Sequence, residues 1–420
     1  MASVQEMSRP GEVVDLYYYD SDTARKQAFP TTQNTKYVQQ FANLSGGSSV
    51  FTIPPTNGLQ DIVVSMSFAP LAAAAPTLAL PRGWGYALIK QVSYRYGGSS
   101  QYFLTGDQIL QNALRAQTSR SSCDDLLTLG GNYATNTDLE NGQSAAVVLC
   151  LPHNIPSGVG KAHPLPSDLL TQQVQITVEL FPVGQVWTNQ SGSALPSQCT
   201  SLASAAFQVQ QVMLNNQNDA LARRLDMSVN AYAFPAEFVQ QKQIIPLQDS
   251  AASQSVVLTG FRSGEVKAIE IWLTRDVDTA GSSPTSGLAS GYNPFNWSAP
   301  ASVVMSYAGD VYARYEGGTG ALWNLLNGNK SPAFDNVALA GAAGAITPSS
   351  VINQWVELPF AQALCDEDSH YTLVHGKSIT NGICNLEIVT PSAQADWKLN
   401  VSYVYNTTLL FSAGTCDYVF

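Results

Sequence analysis

Charged side chains are scarce in this sequence of 420 residues. Asp, Glu, Lys and Arg make up only 12% of the chain, about half the usual share, and the formal net charge is -11. With 20 Lys and Arg residues in all, the chain lacks a basic surface that could neutralise many phosphates, so we expect no sequence-specific nucleic-acid binding. Polar uncharged residues and Tyr carry the surface instead. This composition suits a protein whose faces meet other protein faces, although a secreted β-protein could share it.

Long apolar segments are also missing. Residues 1–20 contain no apolar core of the kind that a signal peptide needs. The longest apolar run, Pro70–Leu80, is interrupted by Ala and Pro and is too short to span a bilayer. We therefore expect a protein that is made inside the cell and is not secreted through a signal peptide.

Cysteine is infrequent, and its six occurrences are scattered with no CxxC pair. The spacing indicates mostly free thiols in a reducing compartment, and it leaves one or two disulfides open. The cysteines are Cys123, Cys150, Cys199, Cys365, Cys384 and Cys416.

Catalytic signatures are absent as well. The sequence has no GxSxG, HExxH, phosphate-binding loop or dinucleotide fingerprint, so we predict no catalytic residue, no cofactor and no metal site. Asp366-Glu367-Asp368 with His370 is oxygen-rich but lacks the glycine and spacing of an EF-hand loop, which favours a solvated acidic turn and leaves cation binding open. Asp124-Asp125 lies in a predicted polar loop; adjacent carboxylates seldom face one bond, which favours a surface or helix-capping role. The four histidines, at or near equivalent loops of the two halves, are His153, His163, His370 and His375.

The chain is nevertheless long and apolar enough for two domains, because 45% of its residues are hydrophobic. Val92–Leu114 is the most informative stretch. It predicts an alternating strand, a turn at Gly97-Gly98, an aromatic strand, and a short helix capped by Thr105 with Gln108 three residues later. One face of that helix is apolar: Ile109, Leu110, Ala113 and Leu114.

The same order recurs about two hundred residues later. Val303–Leu326 predicts a strand, a turn at Gly309, an aromatic strand and a helix capped by Thr319, whose apolar face is Leu322, Leu325 and Leu326. Five stretches match in the same order at offsets of 205 to 212 residues, which predicts an internal duplication. The matches are Phe51–Ile53 with Val256–Leu258, Ile62–Met66 with Ile269–Leu273, Gly98 with Gly309, Leu151-Pro152 with Leu358-Pro359, and Val174–Ile176 with Leu386–Ile388.

Short alternating strands separated by long loops indicate β-sandwiches and not βαβ units. We predict an irregular arm over residues 1–30, a first domain over 31–222 and a second over 223–420. The long Gly/Ser/Pro-rich loops, Asp276–Trp297 and Asn327–Ser350, are expected to carry external contacts.

Several local stretches resemble one known family. They are the Gly97-Gly98 turn with Thr105-Gly106-Asp107, the strand ends Leu151-Pro152 and Leu358-Pro359, the connection Leu214–Arg224 followed by Glu237–Gln241, and the tail with Tyr405-Asn406 and Ser412-Ala413-Gly414. Together with the duplicated architecture over residues 31–420, they resemble the double jelly-roll major capsid proteins of the adenovirus, tectivirus and nucleocytoplasmic large DNA virus lineage. Most individual residues depart from the large-virus pattern and the long tower insertions are missing, so the sequence is most similar to a compact, small-virus or virophage-like member.

The resemblance implies an all-β fold: two tandem eight-stranded antiparallel jelly-roll sandwiches with short helices in the loops. It also implies a structural protein, not an enzyme, that forms homotrimeric, pseudo-hexagonal capsomers in an icosahedral virion shell. Expected partners are neighbouring capsomers, penton and minor or cement capsid proteins, and an inner membrane through the arm at 1–30. Trimer contacts are expected at the loops and short helices, including the Thr105 and Thr319 corners.

A tandem jelly-roll glycan-binding protein or glycan-processing hydrolase is the alternative. Seven tryptophans could form stacking platforms for sugars, but most fall in or beside predicted strands, where core packing is the default. A lectin of this size would also usually carry a secretion signal. The tryptophans are Trp84, Trp187, Trp272, Trp297, Trp323, Trp355 and Trp397.

Overall fold

The computed structural model shows a mostly β protein made of antiparallel sheets. It describes residues 32–71, 78–98, 101–115, 117, 120–149, 165–189, 194–214, 225, 231–248, 253–275, 295, 297–315, 333–339, 346–352, 355–360, 377–379, 383–392 and 396–420. Within these ranges, no helix is long and apolar enough to cross a membrane.

The first half contains eleven described strands and three α-helices. The strands are β1 Thr32–Gln40, β2 Gly47–Ile53, β3 Gly58–Phe68, β4 Leu78–Leu80, β5 Ile89–Arg95, β6 Tyr102–Thr105, β7 Ala134–Thr135, β8 Gln143–Val148, β9 Val174–Leu180, β10 Thr188–Asn189 and β11 Ser204–Leu214. The helices are α1 Trp84–Leu88, α2 Gly106–Arg115 and α3 Arg120–Leu129.

Eight of these strands form two facing four-stranded sheets, β1-β11-β3-β8 and β2-β9-β5-β6. Numbered one to eight along the chain, they follow the orders 1-8-3-6 and 2-7-4-5, which is the strand order of a jelly roll. We call this unit the first roll. The remaining strands form a small sheet, β10-β4-β7.

The second half has thirteen described strands. They are β12 Tyr232–Val239, β13 Gln243–Pro246, β14 Gln254–Leu258, β15 Glu265–Arg275, β16 Ser302–Tyr307, β17 Asp310–Tyr315, β18 Ala333–Leu339, β19 Ile346–Ile352, β20 Val356–Pro359, β21 Lys377–Ser378, β22 Cys384–Val389, β23 Trp397–Ser412 and β24 Thr415–Val419. The sheets β12-β23-β15-β20 and β14-β22-β16-β17 repeat the orders 1-8-3-6 and 2-7-4-5, and we call this unit the second roll. Strands β13, β21 and β24 extend its first sheet, and β18-β19 form a separate hairpin.

The predicted fold class is therefore confirmed, and the predicted matches lie in equivalent strands or turns wherever both partners are described. One register is wrong by two residues. Phe51 pairs with Ile176, and Val256 pairs with Leu386, so Ile176 corresponds to Leu386 and not to Ile388. A shift of two residues keeps a side chain on the same face of a strand, so the alternating pattern cannot detect it.

Some predicted features fall outside the described residues. They are the arm at 1–30, the boundary at 222/223, Leu151-Pro152, and the helix from Thr319 with Trp323 and its leucines. The domain boundaries therefore stay predictions.

Alternation of apolar residues builds each roll's core. In β3, Ile62 and Val64 are fully buried and Met66 and Phe68 nearly so, whereas Asp61 is exposed. Because alternate side chains of a strand point to opposite faces, this pattern buries one whole face of the sheet.

Aromatic stacking joins the two sheets of the first roll. Phe51 of β2 stacks on Phe207 of β11 with ring centroids 4.3 Å apart, and the Phe41 ring meets Phe51 edge-on at 4.9 Å. The two stacked residues belong to different sheets, so their contact crosses the middle of the sandwich.

We expect Phe51→Ala to destabilise the protein by about 3–5 kcal/mol, since it removes a buried ring from between the sheets. The adjacent Val50→Ala is the matched control, because Val50 is 55% exposed on the outer face and its truncation should change stability by less than about 0.5 kcal/mol. Chemical denaturation monitored by intrinsic fluorescence measures both effects. Equal effects of the two substitutions would contradict the proposed role of Phe51.

Candidate functional site

The two rolls meet through the corner between β6 and α2, and the side chain of Gln108 lies at the centre of this contact. Gln108 is only 1% exposed. Its Nε2 donates to the backbone oxygen of Gln240 and to Ser402 Oγ, both at 2.8 Å, and Ser402 Oγ donates to the same Gln240 oxygen at 3.0 Å. One side chain of the first roll thus satisfies two buried polar groups of the second.

The helix start holds Gln108 in place. Gln108 Oε1 accepts from the Thr105 backbone N–H at 3.3 Å and lies 3.1 Å from the Thr105 hydroxyl. This is the Gln half of a capping box, as the sequence predicted. The predicted apolar face of α2 is also confirmed, since Ile109, Leu110, Ala113 and Leu114 are all buried.

An ion pair lies beside the amide. Asp107 of α2 binds Lys242, which lies between β12 and β13, and both side chains are mostly buried. Lys242 Nζ also lies 5.8 Å from the centre of the Trp272 ring. Because breaking a largely buried pair leaves one uncompensated charge, this contact disfavours other arrangements of the two rolls.

Aromatic rings fill the rest of the junction. Tyr102 of β6 meets Phe238 and Tyr418 of the second roll edge-on, with centroids 5.3 and 5.1 Å apart. Its hydroxyl donates to the Asp417 carboxylate. Burial, followed by this carboxylate, raises the pKa of Tyr102 well above its ordinary value, so the phenol stays protonated and remains a donor.

A cation covers the far side of these rings. The Arg262 guanidinium carbon lies 4.9 Å from the centre of the Phe238 ring and 5.3 Å from that of Phe420. The Arg262 backbone N–H donates to Tyr405 Oη at 2.9 Å, and Tyr405 Oη lies 3.1 Å from Gln240 Oε1. Cation–π and polar contacts therefore continue from the rings to the strand connection that Gln108 binds.

A fourth contact between the rolls comes from the hairpin of β23 and β24. The Thr171 N–H and hydroxyl of the first roll donate to the Gly414 carbonyl at 2.8 and 3.1 Å. Gly414 has φ +79° and follows Ala413 with φ +49°, as in a tight hairpin turn with two left-handed residues. A Cβ on Gly414 would overlap the Thr171 side chain.

The Thr105 corner was expected to supply trimer contacts, and this expectation stays a prediction. The corner packs against the second roll of the same chain through Asp107 and Gln108, so that face is already occupied. The matching Thr319 corner lies outside the described residues.

Asp124 and Asp125 lie on α3, and the predicted loop is wrong. The helix forms because Cys123, Leu126 and Leu127 place one buried face on the core. Asp124 Oδ1 lies 3.2 Å from Arg82 Nη1, and Asp125 is exposed. The surface or helix-capping role of these two carboxylates stays a prediction.

Most of the remaining candidate residues lie outside the residues that the structure describes. Within the described part of the chain, no group of three or more His, Cys, Asp and Glu residues could hold a metal. All four histidines, the Asp366-Glu367-Asp368 segment, Cys150 and Cys365 lie outside it. All four described cysteines, Cys123, Cys199, Cys384 and Cys416, are buried.

The tryptophans that the structure describes are core residues. Each is at most 6% exposed, so none offers a ring face to a sugar in solution. They are Trp84, Trp187, Trp272, Trp297, Trp355 and Trp397.

Solved structures share this architecture over nearly the whole chain, whereas neither a protein-family model nor a curated protein sequence matches it. A chain of the PBCV-1 virus capsid is 14% identical, with a TM-score of 0.60 over 93% of this chain and 97% of that one. The Faustovirus major capsid protein is 10% identical, with a TM-score of 0.53 over 92% and 91%. A chain of the Sputnik virophage is 10% identical, with a TM-score of 0.51 over 92% and 88%. This chain has the fold of the double jelly-roll major capsid proteins.

Part of the junction of this double jelly roll was predictable from the sequence. Three stretches that resemble the capsid family contribute contacts between the rolls, namely Thr105-Gly106-Asp107, Glu237–Gln241 and Ser412-Ala413-Gly414. Lys242 and the Asp417-Tyr418 pair were not predicted. The Ala-Gly dipeptide was a usable signal, because Ala308-Gly309 forms the same kind of turn with φ +53° and +95°.

Gly414→Ala should weaken the junction of the double jelly roll. Gly309→Ala is a matched control, since both glycines follow an alanine in a two-residue turn, and a Cβ on Gly309 meets nothing within 4 Å. We expect about 1–2 kcal/mol of destabilisation at Gly309 from left-handed strain alone, and at least about 1 kcal/mol more at Gly414 from the overlap. Urea unfolding of both variants measures the difference, and identical losses would show that the Thr171 contact is not tight.

The buried thiols should be unreactive while the double jelly roll is folded. Burial raises the pKa of Cys199 and of Cys384 from an ordinary 9.0 to about 12. Below pH 9 the two neutral thiols make their full contribution to the free energy of unfolding. This contribution is lost as the pH rises from 9 toward 12, because in that range the thiols ionise in the unfolded chain only. Mass spectrometry after iodoacetamide treatment at pH 8 should show both sites labelled only after unfolding. Labelling of the folded protein at the rate of a free peptide thiol would contradict this burial.

Proposed function

We propose that this protein is a structural major capsid protein whose homotrimers form pseudo-hexagonal capsomers of an icosahedral virus shell. The proposal rests on the contact between the two rolls inside the chain, in which each roll uses a different surface. The first roll uses its β6–α2 corner, whereas the second roll uses the β12–β13 connection and β23. Because both rolls have one strand topology, the described residues hold a second copy of the β6 edge and of the strands that receive it.

The second roll has its own version of the corner edge. Tyr94 and Met305 lie equally far before the equivalent turns at Gly98 and Gly309, so they correspond to each other. Across the hairpins, Tyr94 pairs with Tyr102, and Met305 pairs with Ala313. Strand β17 ends its sheet as β6 does, and its Val311 is 60% exposed. This edge is a candidate surface for contact with another roll.

The first roll has its own version of the receiving surface. In the second roll, Ser402 of β23 pairs with Glu270 of β15. Gln208 of β11 occupies the equivalent position in the first roll, where it pairs with Val63 of β3. Beside Gln208 lies Val38 on the edge strand β1, with 48% of its surface exposed. Val38 and Gln208 therefore occupy the place that the Gln108 amide contacts in the second roll.

A contact between two different surfaces is heterologous, and repetition of such a contact closes a ring when the rotation fits. Within one chain, the first roll contacts the second through its β6 edge. If the β17 edge of one chain contacts the β1–β11 surface of the next chain in the same way, three chains form a ring of six similar rolls. That ring has the pseudo-hexagonal outline of a capsomer.

The family resemblance extends the proposal to the partners and the location. Neighbouring capsomers, penton and minor or cement proteins would surround the trimer in the virion, and the arm at 1–30 would contact an inner membrane. We assign no catalytic residue, cofactor or metal to the protein. The glycan-processing alternative loses its main support, because the described tryptophans are buried in the core.

Light scattering after size exclusion tests the trimer. One chain has a mass of 44.9 kDa, so a trimer should appear near 135 kDa. Val38→Asp should shift the mass toward the monomer, since it places an unpaired carboxylate in the proposed contact. Val50→Asp is the matched control, because Val50 is 55% exposed on an edge strand of the other sheet, and this variant should remain trimeric.

A folded monomeric wild type would refute the proposed assembly. A trimer that withstands Val38→Asp would refute the surface assigned here and leave the trimer itself intact.

A further inference from the structure

The first roll contains an open polar pocket that is separate from the junction. Its volume is about 530 Å³, and it lies where α3, β7 and the start of β8 meet. The side chains used below are Arg82, Asn132, Tyr133, Asp138, Asn141 and Gln143.

Two glycines fix the wall that carries Asn132 and Tyr133. The Gly130 oxygen accepts from Gly85 N–H at 2.8 Å, and the Gly131 oxygen accepts from Gly83 N–H at 2.7 Å. Gly131 has φ +121°, and a Cβ there would overlap the Trp84 ring. The chain then enters β7, which pairs with β4, so the backbone on both sides of Asn132 has a fixed path.

The opposite wall is a short 3-10 helix, Asn136–Asn141. The Asp138 carboxylate accepts from the Thr135 N–H at 3.4 Å and caps this helix. The Asp138 backbone oxygen accepts from Gln143 Nε2 at 2.7 Å, which ties the helix to β8. These bonds fix the helix that carries Asp138 and Asn141 relative to the strand that carries Gln143.

Arg82 is anchored on the α3 side. Its guanidinium binds Asp124 through Nη1–Oδ1 at 3.2 Å, and Nη2 donates to the Asp124 backbone oxygen at 2.7 Å and to Thr128 Oγ1 at 2.9 Å. Asp124 balances the positive charge of Arg82, and the Asp138 carboxylate adds a negative charge. The pocket lining therefore carries no net positive charge. Phosphate, sulfate and acidic sugars are therefore poor ligands.

The lining suits hydroxyl groups best. Asn132, Asn141 and Gln143 carry amides, each with donors and acceptors side by side, whereas the Tyr133 hydroxyl is buried in the wall. Neighbouring hydroxyls of a sugar ring can give and take hydrogen bonds with such groups, whereas a single lining carboxylate is too few for a hard cation. We propose that this pocket binds a neutral saccharide of one or two rings, a size that matches its volume.

Saturation-transfer NMR and calorimetry on the full chain test the proposal. The probes are the methyl glycosides of glucose, mannose, galactose and N-acetylglucosamine, with N-acetylneuraminic acid as an anionic comparison. At least one neutral glycoside should bind saturably, and the anionic sugar should bind more weakly. Asn141→Ala should weaken binding about tenfold, as expected for a lost pair of hydrogen bonds.

Two further variants keep the test decisive. Asn132→Ala, at an exposed position on the other wall, should weaken binding similarly and serves if Asn141→Ala fails to fold. Gln175→Ala is the control, because Gln175 is exposed on β9 away from the pocket lining, and it should bind as the wild type does.

Absence of saturable binding by every neutral glycoside would overturn the proposal. Undiminished binding by folded Asn141→Ala and Asn132→Ala would overturn it as well, since the sugar would then occupy another site. Preferential binding of N-acetylneuraminic acid would show that the pocket recognises charge and would also reject the proposal.

Discussion

The buried amide of Gln108 is the constraint on which the arrangement of the two rolls depends. No strand is shared between the rolls in the described part of the chain, so side-chain contacts and the backbone hydrogen bond from Thr171 to Gly414 fix their relation. A hydrogen bond of this kind adds little net free energy, but its loss leaves buried polar groups of both rolls unsatisfied. It therefore selects one arrangement, while the rings around Tyr102 and Phe238 supply the buried apolar area.

The fold itself was largely predictable because its signal is local. Alternation in β3 identifies the buried face, and Thr105 with Gln108 identifies the start of α2, since a capping residue and an apolar helical face are encoded within ten residues. Duplication was visible for the same reason, because both rolls preserve their alternation. Local signals also explain the errors: a two-residue register shift at Ile176 preserves the pattern, and the polar side chains of α3 concealed a helix whose buried residues are Cys123, Leu126 and Leu127.

The junction was only partly predictable because it joins residues that are distant in sequence. Asp107 and Lys242 are separated by 135 positions, and neither differs in sequence context from an ordinary surface charge. An acidic residue at a helix start has a sufficient local explanation in the helix dipole. Its pairing with another roll becomes visible only in three dimensions. The same holds for Tyr102, which alternation assigns to a buried face without indicating which rings it meets.

The contact between the two rolls gives a physical reason for the low content of charged residues. Removing charged groups from water costs far more than removing amides and hydroxyls, and only well-paired charges recover that cost. The junction follows this rule, because Gln108, Ser402 and Tyr102 provide its polar contacts and the one ion pair between the rolls in the described residues is matched. A surface with few charges lets further rolls meet it at a low desolvation penalty. In the assembly proposed above, a chain that buries one roll–roll contact internally and repeats it with other copies would benefit from carrying Gln, Asn, Ser and Tyr in place of Lys and Glu.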